Sequence, residues 1–237
     1  VRLAGGKIFV DGTLNARTAW MLHPFREHLP EHPRGTPLAT VPDIRAALRR
    51  CRDLGLALAA HAIGDGAVRA CIDAAEAELP RSERGAHASG LPAEGASRDW
   101  RAGVPFRVEH AELIDERDVP RLADLCLERG CVVSAQPCHL LYDIEALERF
   151  CPDRLERVMP FRDLLDAGLR PGRDLVFGSD VPIVRADPLD SVAAATQRRR
   201  APLADGRPSP GGPPTQRPLA RAQALTATQA WACFAPR

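Results

Sequence analysis

One lysine stands in this 237-residue sequence, so 31 of the 32 Lys and Arg residues are arginine. That lysine, Lys7, falls in Gly5-Gly6-Lys7-Ile8-Phe9-Val10-Asp11-Gly12, an apolar run that reads as a buried strand. A chain that uses arginine wherever it needs positive charge points to a special task for its single lysine. An amine can shed its proton and become nucleophilic, and a guanidinium cannot. The plainer alternative is a lysine snorkelling from a strand end to water. Net charge is scarce as well, at +1, which removes any electrostatic case for a nucleic-acid or membrane partner. No apolar run reaches the roughly 18 residues that a membrane-spanning helix needs. The opening Val1-Arg2-Leu3-Ala4-Gly5 has no signal-peptide pattern and no initiator Met, and reads as a processed or partial start. The seven cysteines include no Cys-x-x-Cys pair, which argues against a zinc ribbon or a disulfide framework and for a reducing, cytoplasmic setting. No repeat of fixed period is present.

What is there is alternation. Strand patterns at 3–10, 56–60, 106–109, 131–135 and 174–179 are separated by helical patterns at 43–54, 65–79, 115–129 and 160–168. Helices at 188–199 and 219–233 close the chain. Asp43 is the expected N-cap of the first helix and Gly55 its stop; Gly130 is expected to end the helix from 115. Such alternation implies α/β architecture with a parallel sheet and crossover helices. Residues 81–103 and 201–218 read as loop insertions, the second carrying Pro208-Ser209-Pro210-Gly211-Gly212-Pro213-Pro214, which suits neither helix nor central strand. Arg198-Arg199-Arg200 reads as a solvated helix end, where cations suit the helix dipole.

Chemistry gathers at the strand ends. His61, His110 and Asp180 each follow an apolar run, Lys7 lies within one, and the fourth strand leads into Gln136-Pro137-Cys138-His139. In a parallel barrel all strands point the same way, so polar residues at their C-terminal ends converge on one site. Each has a structural alternative. A histidine after a strand can be a hydrogen-bonded core residue, His139 can cap a loop, and Asp180 in Gly178-Ser179-Asp180-Val181-Pro182 can form a turn. His23, His28 and His32, in a proline-containing loop, are weaker candidates. Taken as a set, imidazoles and carboxylate suit Zn²⁺ and similar divalent ions. A lysine that has taken up carbon dioxide becomes an anionic carbamate able to bridge two metals.

The same residues resemble a known family. Lys7 to Ala19, His61-Ala62-Ile63-Gly64-Asp65-Gly66-Ala67-Val68, Arg107-Val108-Glu109-His110-Ala111-Glu112-Leu113-Ile114, Ser134 to His139, and Gly178 to Ile183 are similar, in order, to segments of the amidohydrolase superfamily. The likeness is to its family 3 branch, the YtcJ-like metal-dependent hydrolases. The resemblance implies a partial (β/α)8 TIM barrel, approximately strands 4 to 8 with their helices, as a single domain over 1–237. It implies hydrolysis of a non-peptide carbon–nitrogen bond, of amide or formamide type, in a small-molecule substrate through metal-activated water. It implies a divalent metal, Zn²⁺ being the first expectation, held by Lys7 (carboxylated), His61, His110 and Asp180. Asp180 would also be catalytic, as general base, and His139 would face the substrate.

This sequence departs from that pattern in having no His-x-His pair and only five of eight strands. The expectation is therefore the C-terminal part of a longer enzyme, with little activity alone and open sheet edges prone to self-association. The other readings are a non-catalytic half-barrel remnant or binding protein, and a barrel enzyme that forms a Schiff base on Lys7.

Overall fold

The computed structural model describes residues 5–81 and 106–235. Most of the insertion expected at 81–103 therefore lies outside the described residues. Five strands form one parallel sheet: β1 (Gly5–Phe9), β2 (Ala57–Ala62), β3 (Phe106–His110), β4 (Val132–Ala135) and β5 (Leu175–Phe177). Their order in the sheet is their order in the chain, and every pairing is parallel. This is the α/β architecture with a parallel sheet that the alternation implied.

Register decides what each face carries, because successive strand side chains point to opposite sides. Ile8, Ala60, Val108, Val133 and Leu175 form one row across the sheet. Apart from the edge residue Ile8, that row is buried. It packs on the helix layer: α1 (Val41–Asp53), α2 (Asp65–Glu78) and α3 (Val119–Arg129) contribute Ile44, Leu48, Val68, Ile72 and Leu122 to the same core. The opposite face carries Lys7, Ala59, Arg107 and Val132 in one row, and Phe9, His61, Glu109, Ser134 and Val176 in the next. β1 is an edge strand, so Lys7 is exposed and Phe9 is 57% exposed. The expectation of a buried strand around Lys7 is corrected on this point: the strand exists, but only its other face and its continuation at Val10 enter the core.

Local chemistry sets the helix ends. The first helix begins two residues before the expected start. Asp43 is not its N-cap but the third helical residue, and its carboxylate accepts the backbone N–H of Thr40 at 2.9 Å. Gly55, with φ 64°, stops it as expected. Helix α3 starts at Val119 rather than 115, because Asp115 instead closes a turn, accepting the N–H of Arg117 on its side chain and that of Asp118 on its carbonyl. Gly130 caps it at φ 73°. Helix α4 (Leu140–Phe150) was not anticipated, nor was the 3-10 stretch Pro152–Arg157. Helices α5 (Phe161–Asp166) and α6 (Pro188–Gln197) fall within their expected spans. The helix expected over 219–233 is reduced to α7 (Ala227–Ala232), since Ala220 is left-handed at φ 47° and Ala224 is extended. Residues 201–218 contain no helix or strand, as their prolines imply.

The arginine cluster after α6 overturns its expectation. Arg198 and Arg200 are almost wholly buried rather than solvated. Arg198, itself left-handed at φ 57°, donates to the carbonyls of Val158 at 2.6 Å, Leu219 at 3.1 Å and Met159 at 3.3 Å. Burial holds its guanidinium down at about 10. Arg200 donates to the carbonyls of Gly211 at 2.8 Å and Leu141 at 3.0 Å, and pairs with Glu145. These side chains act as internal clamps that tie the segments at 158–159, 211 and 219 and the first turn of α4 together. The seven cysteines are free thiols, six of them buried, in keeping with their use as small apolar residues. Among the described residues no helix is long and apolar enough to cross a membrane.

Candidate metal centre

The C-terminal ends of β2, β3 and β4 bring three imidazoles into one row. The rings of His61 and His110 lie 4.4 Å apart between centroids, and those of His110 and His139 lie 5.5 Å apart. All three are buried. His61 ends the inward-facing row of β2, beside Phe9 at 5.1 Å. His110 closes β3 with φ 71°, and Ala111 follows at φ 48°. Two successive left-handed residues turn the chain sharply, a conformation non-glycine residues hold only where surrounding structure enforces it. Here it is enforced from both sides: Ala111 N–H donates to Ala62 O, and Leu113 N–H donates to Ile63 O. His139 ends the 3-10 turn Pro137–His139 and begins α4.

The turn at His110 delivers Glu112, fully buried, to the same place. Glu112 Oε1 lies 3.2 Å from His139 Nδ1. His110, Glu112 and His139 each offer one donor atom, all within 4.8 Å of one another. His110 Nδ1 and His139 Nε2 are buried without a hydrogen-bond partner among the described residues. Orphaned polar atoms of this kind are uncommon in folded proteins and call for a ligand, water or ion. Burial, and then the neighbouring His61, His139 and Lys7, push His110 down to about 2, so its imidazole is neutral and has a lone pair to give. Burial also lowers His61, and the charge of Lys7 lowers it further, against the Gly12 carbonyl at 3.0 Å from Nε2. For His139 burial opposes charge, but contact with Glu112 outweighs it and the net shift is upward.

Lys7 and Asp180 flank this row. Lys7 rises from the exposed face of β1, its Nζ 5.7 Å from the Phe9 ring centroid. Asp180 lies three residues beyond β5, partly buried, with φ 59°, and its carbonyl accepts the N–H of Ile183 in a turn. Its charge acts on both His61 and His139. His23, His28 and His32 are exposed.

Three acidic residues carry parts of the site that strand-end reasoning passed over. Asp11 is fully buried and accepts backbone N–H groups from Trp20 at 2.8 Å, Gly64 at 2.8 Å and Ile63 at 3.0 Å. It ties the loop after β1 to the loop after β2, directly behind His61, whose Nε2 is 3.6 Å away. Burial raises it to about 7 in spite of its three donors. Asp143, one helical turn after His139, is bonded by Asn15 and is raised by burial and by the charge of Glu112. The signals for these residues were present: Glu112 sits two residues beyond His110, and Asp143 four beyond His139, on the same helix face.

The amidohydrolase family model matches residues 1–237. The chain belongs to the amidohydrolase family. It is 25% identical over 200 residues to the Bacillus subtilis (strain 168) protein named "Putative amidohydrolase YtcJ", covering 84% of this chain and 32% of that protein. It is 29% identical over 198 residues to Protein LONG AFTER FAR-RED 3 of Arabidopsis thaliana, covering 83% of this chain and 29% of that one. Among solved structures it is similar to an uncharacterized metal-dependent hydrolase from Pyrococcus horikoshii OT3. The identity is 28% and the TM-score 0.69, over 98% of this chain and 38% of that one. A second such hydrolase, from Pyrococcus furiosus, matches with 29% identity and a TM-score of 0.62, over 82% of this chain and 34% of that one. This amidohydrolase chain thus spans about a third of the length of the relatives it matches.

Proposed function

We propose that this chain supplies the metal-binding half of the active site of a metal-dependent hydrolase acting on a non-peptide carbon–nitrogen bond of a small amide- or formamide-type molecule. The observation that carries the reading is the convergence of His61, His110 and His139 with His110 Nδ1 buried and unpartnered. A neutral, desolvated imidazole nitrogen with no partner among the described residues fits a divalent ion, and His61 beside it adds a second imidazole of the kind that suits Zn²⁺ and related metals.

Within that reading His61 and His110 are the imidazole ligands, and Lys7 and Asp180 stand on either flank as anionic ligands, Lys7 after carboxylation. A divalent ion bound there supplies a Lewis acid and a water acidic enough to lose its proton near neutral pH. The Asp180 carboxylate takes a proton at its oxygen and returns it to the departing nitrogen. His139, with Nε2 turned to the site, faces the substrate. Asp11 holds the β1 and β2 loops together so that His61 keeps its place behind that exchange.

The family relationship supports hydrolase chemistry, and two solved relatives are described as metal-dependent hydrolases. The test is metal content. After dialysis against zinc and then buffer, the wild-type chain is expected to retain stoichiometric zinc by elemental analysis, and His110→Ala to lose it. Equal zinc in wild type and His110→Ala would refute the assignment. Borohydride trapping of a carbonyl substrate on Lys7, insensitive to chelators, would favour the Schiff-base alternative instead.

A further inference from the structure

We propose that Glu112 is the positioning residue for His139: it accepts the Nδ1 proton of that ring and so presents Nε2 to the site as a free lone pair. This deepens the functional reading above and rests on it for the identity of the site, though not for the hydrogen bond itself. A neutral imidazole has one N–H and one lone pair, and an ionised carboxylate can only accept. With Oε1 at 3.2 Å from Nδ1, an ionised Glu112 puts the proton of His139 on Nδ1. Nε2 is then an acceptor, and it is the nitrogen that is buried with no partner among the described residues.

The backbones of both residues are fixed close to the contact. His139 N–H donates to Gln136 O at 3.0 Å, which closes the 3-10 turn, and the ring stacks on His110. Glu112 follows the left-handed pair His110 and Ala111. Its carbonyl accepts the N–H of Met159 at 2.5 Å, and the next residue, Leu113, is bonded to Ile63 O at 3.0 Å. Glu112 is thereby pinned between the end of β2 and the segment at 157–159. A carboxylate that fixes the tautomer of a working imidazole is a recurrent arrangement in catalytic and metal sites. Here the consequence is specific: Nε2 receives an N–H or O–H of the substrate, rather than donating to its carbonyl.

The test uses the whole 237-residue chain, metal-free, with ¹⁵N-labelled histidine, at a pH where the His139 ring is neutral. Long-range proton–nitrogen correlation spectra report which nitrogen is protonated, and His139→Asn identifies the signal. In wild type the Nδ1–H form is expected. Glu112→Gln retains an accepting oxygen and is expected to keep it, whereas Glu112→Ala is expected to shift the ring toward Nε2–H. An Nε2–H ring in wild type, or an unchanged tautomer in a folded Glu112→Ala, would overturn the proposal. Zinc titration separates the rival role: Glu112→Gln should bind zinc with wild-type stoichiometry, and loss of binding would make Glu112 a ligand instead. If wild type binds no zinc at all, the metal reading fails while the tautomer spectra still decide this one.

Discussion

Replacing Arg198 tests whether a buried charge is holding the irregular part of this fold. Its guanidinium reaches three carbonyls, and two of them, Val158 O and Leu219 O, have no other backbone donor among the described residues. Met159 O keeps the N–H of Phe161 at 2.7 Å. Leaving two buried carbonyls unpaired costs about 2 kcal/mol each. Truncation to alanine at a fully buried position adds a cavity cost of about 3 kcal/mol. Against this stands relief of the buried charge. Lowering from 12.5 to about 10 corresponds to roughly 3 kcal/mol of unfavourable desolvation. The sum is a loss of about 4 kcal/mol for Arg198→Ala, and only about 1 kcal/mol for Arg198→Met, which fills the space and carries no charge. Urea denaturation followed by circular dichroism measures both. Near-identical losses in the two variants, or a loss under about 1 kcal/mol in Arg198→Ala, would refute the reasoning. The effect has a route to the site, because the segment that Arg198 clamps is the one whose Met159 N–H supports Glu112.

Other outcomes follow from the same structure. Glu78 binds Arg45 at 2.7 Å and Arg49 at 2.6 Å across α1 and α2, and these bonds pull its carboxyl down to about 2. A depressed acid stabilises the fold above its unfolded pKa near 4.5 and loses that contribution as pH falls toward 2. Urea midpoints of wild type should therefore exceed those of Glu78→Gln at pH 6, and the gap should close on acidification; a constant gap would be inconsistent. Gly64 packs so closely that an added Cβ would lie 2.1 Å from the Trp20 carbonyl oxygen. Backbone cannot yield there, so Gly64→Ala should cost about 2 kcal/mol or more and lower the melting temperature; a neutral result would show that the loop at Trp20 is freer than drawn.

Much of the fold was legible in the sequence because parallel strands announce themselves as short apolar runs between amphipathic helices. All five runs became strands, in order. The helices that were mistaken were those whose ends depend on local competition. Asp115 spends its carboxylate and carbonyl on a turn, and Ala220 adopts a left-handed conformation that no propensity foretells. Helix α4 was passed over where His139 was weighed as the cap of a loop, although Leu140, Leu141, Ile144 and Leu147 have helical spacing and are buried. Arg198 and Arg200 looked solvated because charge usually is; only tertiary structure shows the buried carbonyls they serve. At the site, the strand-end rule found the three histidines that meet. It could not find Asp11 or Glu112, whose places depend on how loops turn after the strands. Lys7 lies on the same face as His61, but exposed, since β1 is an edge in this sheet.

The central claim is that this amidohydrolase chain binds a divalent metal through His110 among the clustered imidazoles. Anomalous scattering from crystals of the zinc-loaded protein tests it most directly. The account predicts an anomalous peak bonded to a His110 ring nitrogen and shared with neighbouring donors among His61, Lys7 and Asp180. Zinc found only at the exposed His23, His28 or His32, with no peak at His110, would contradict it.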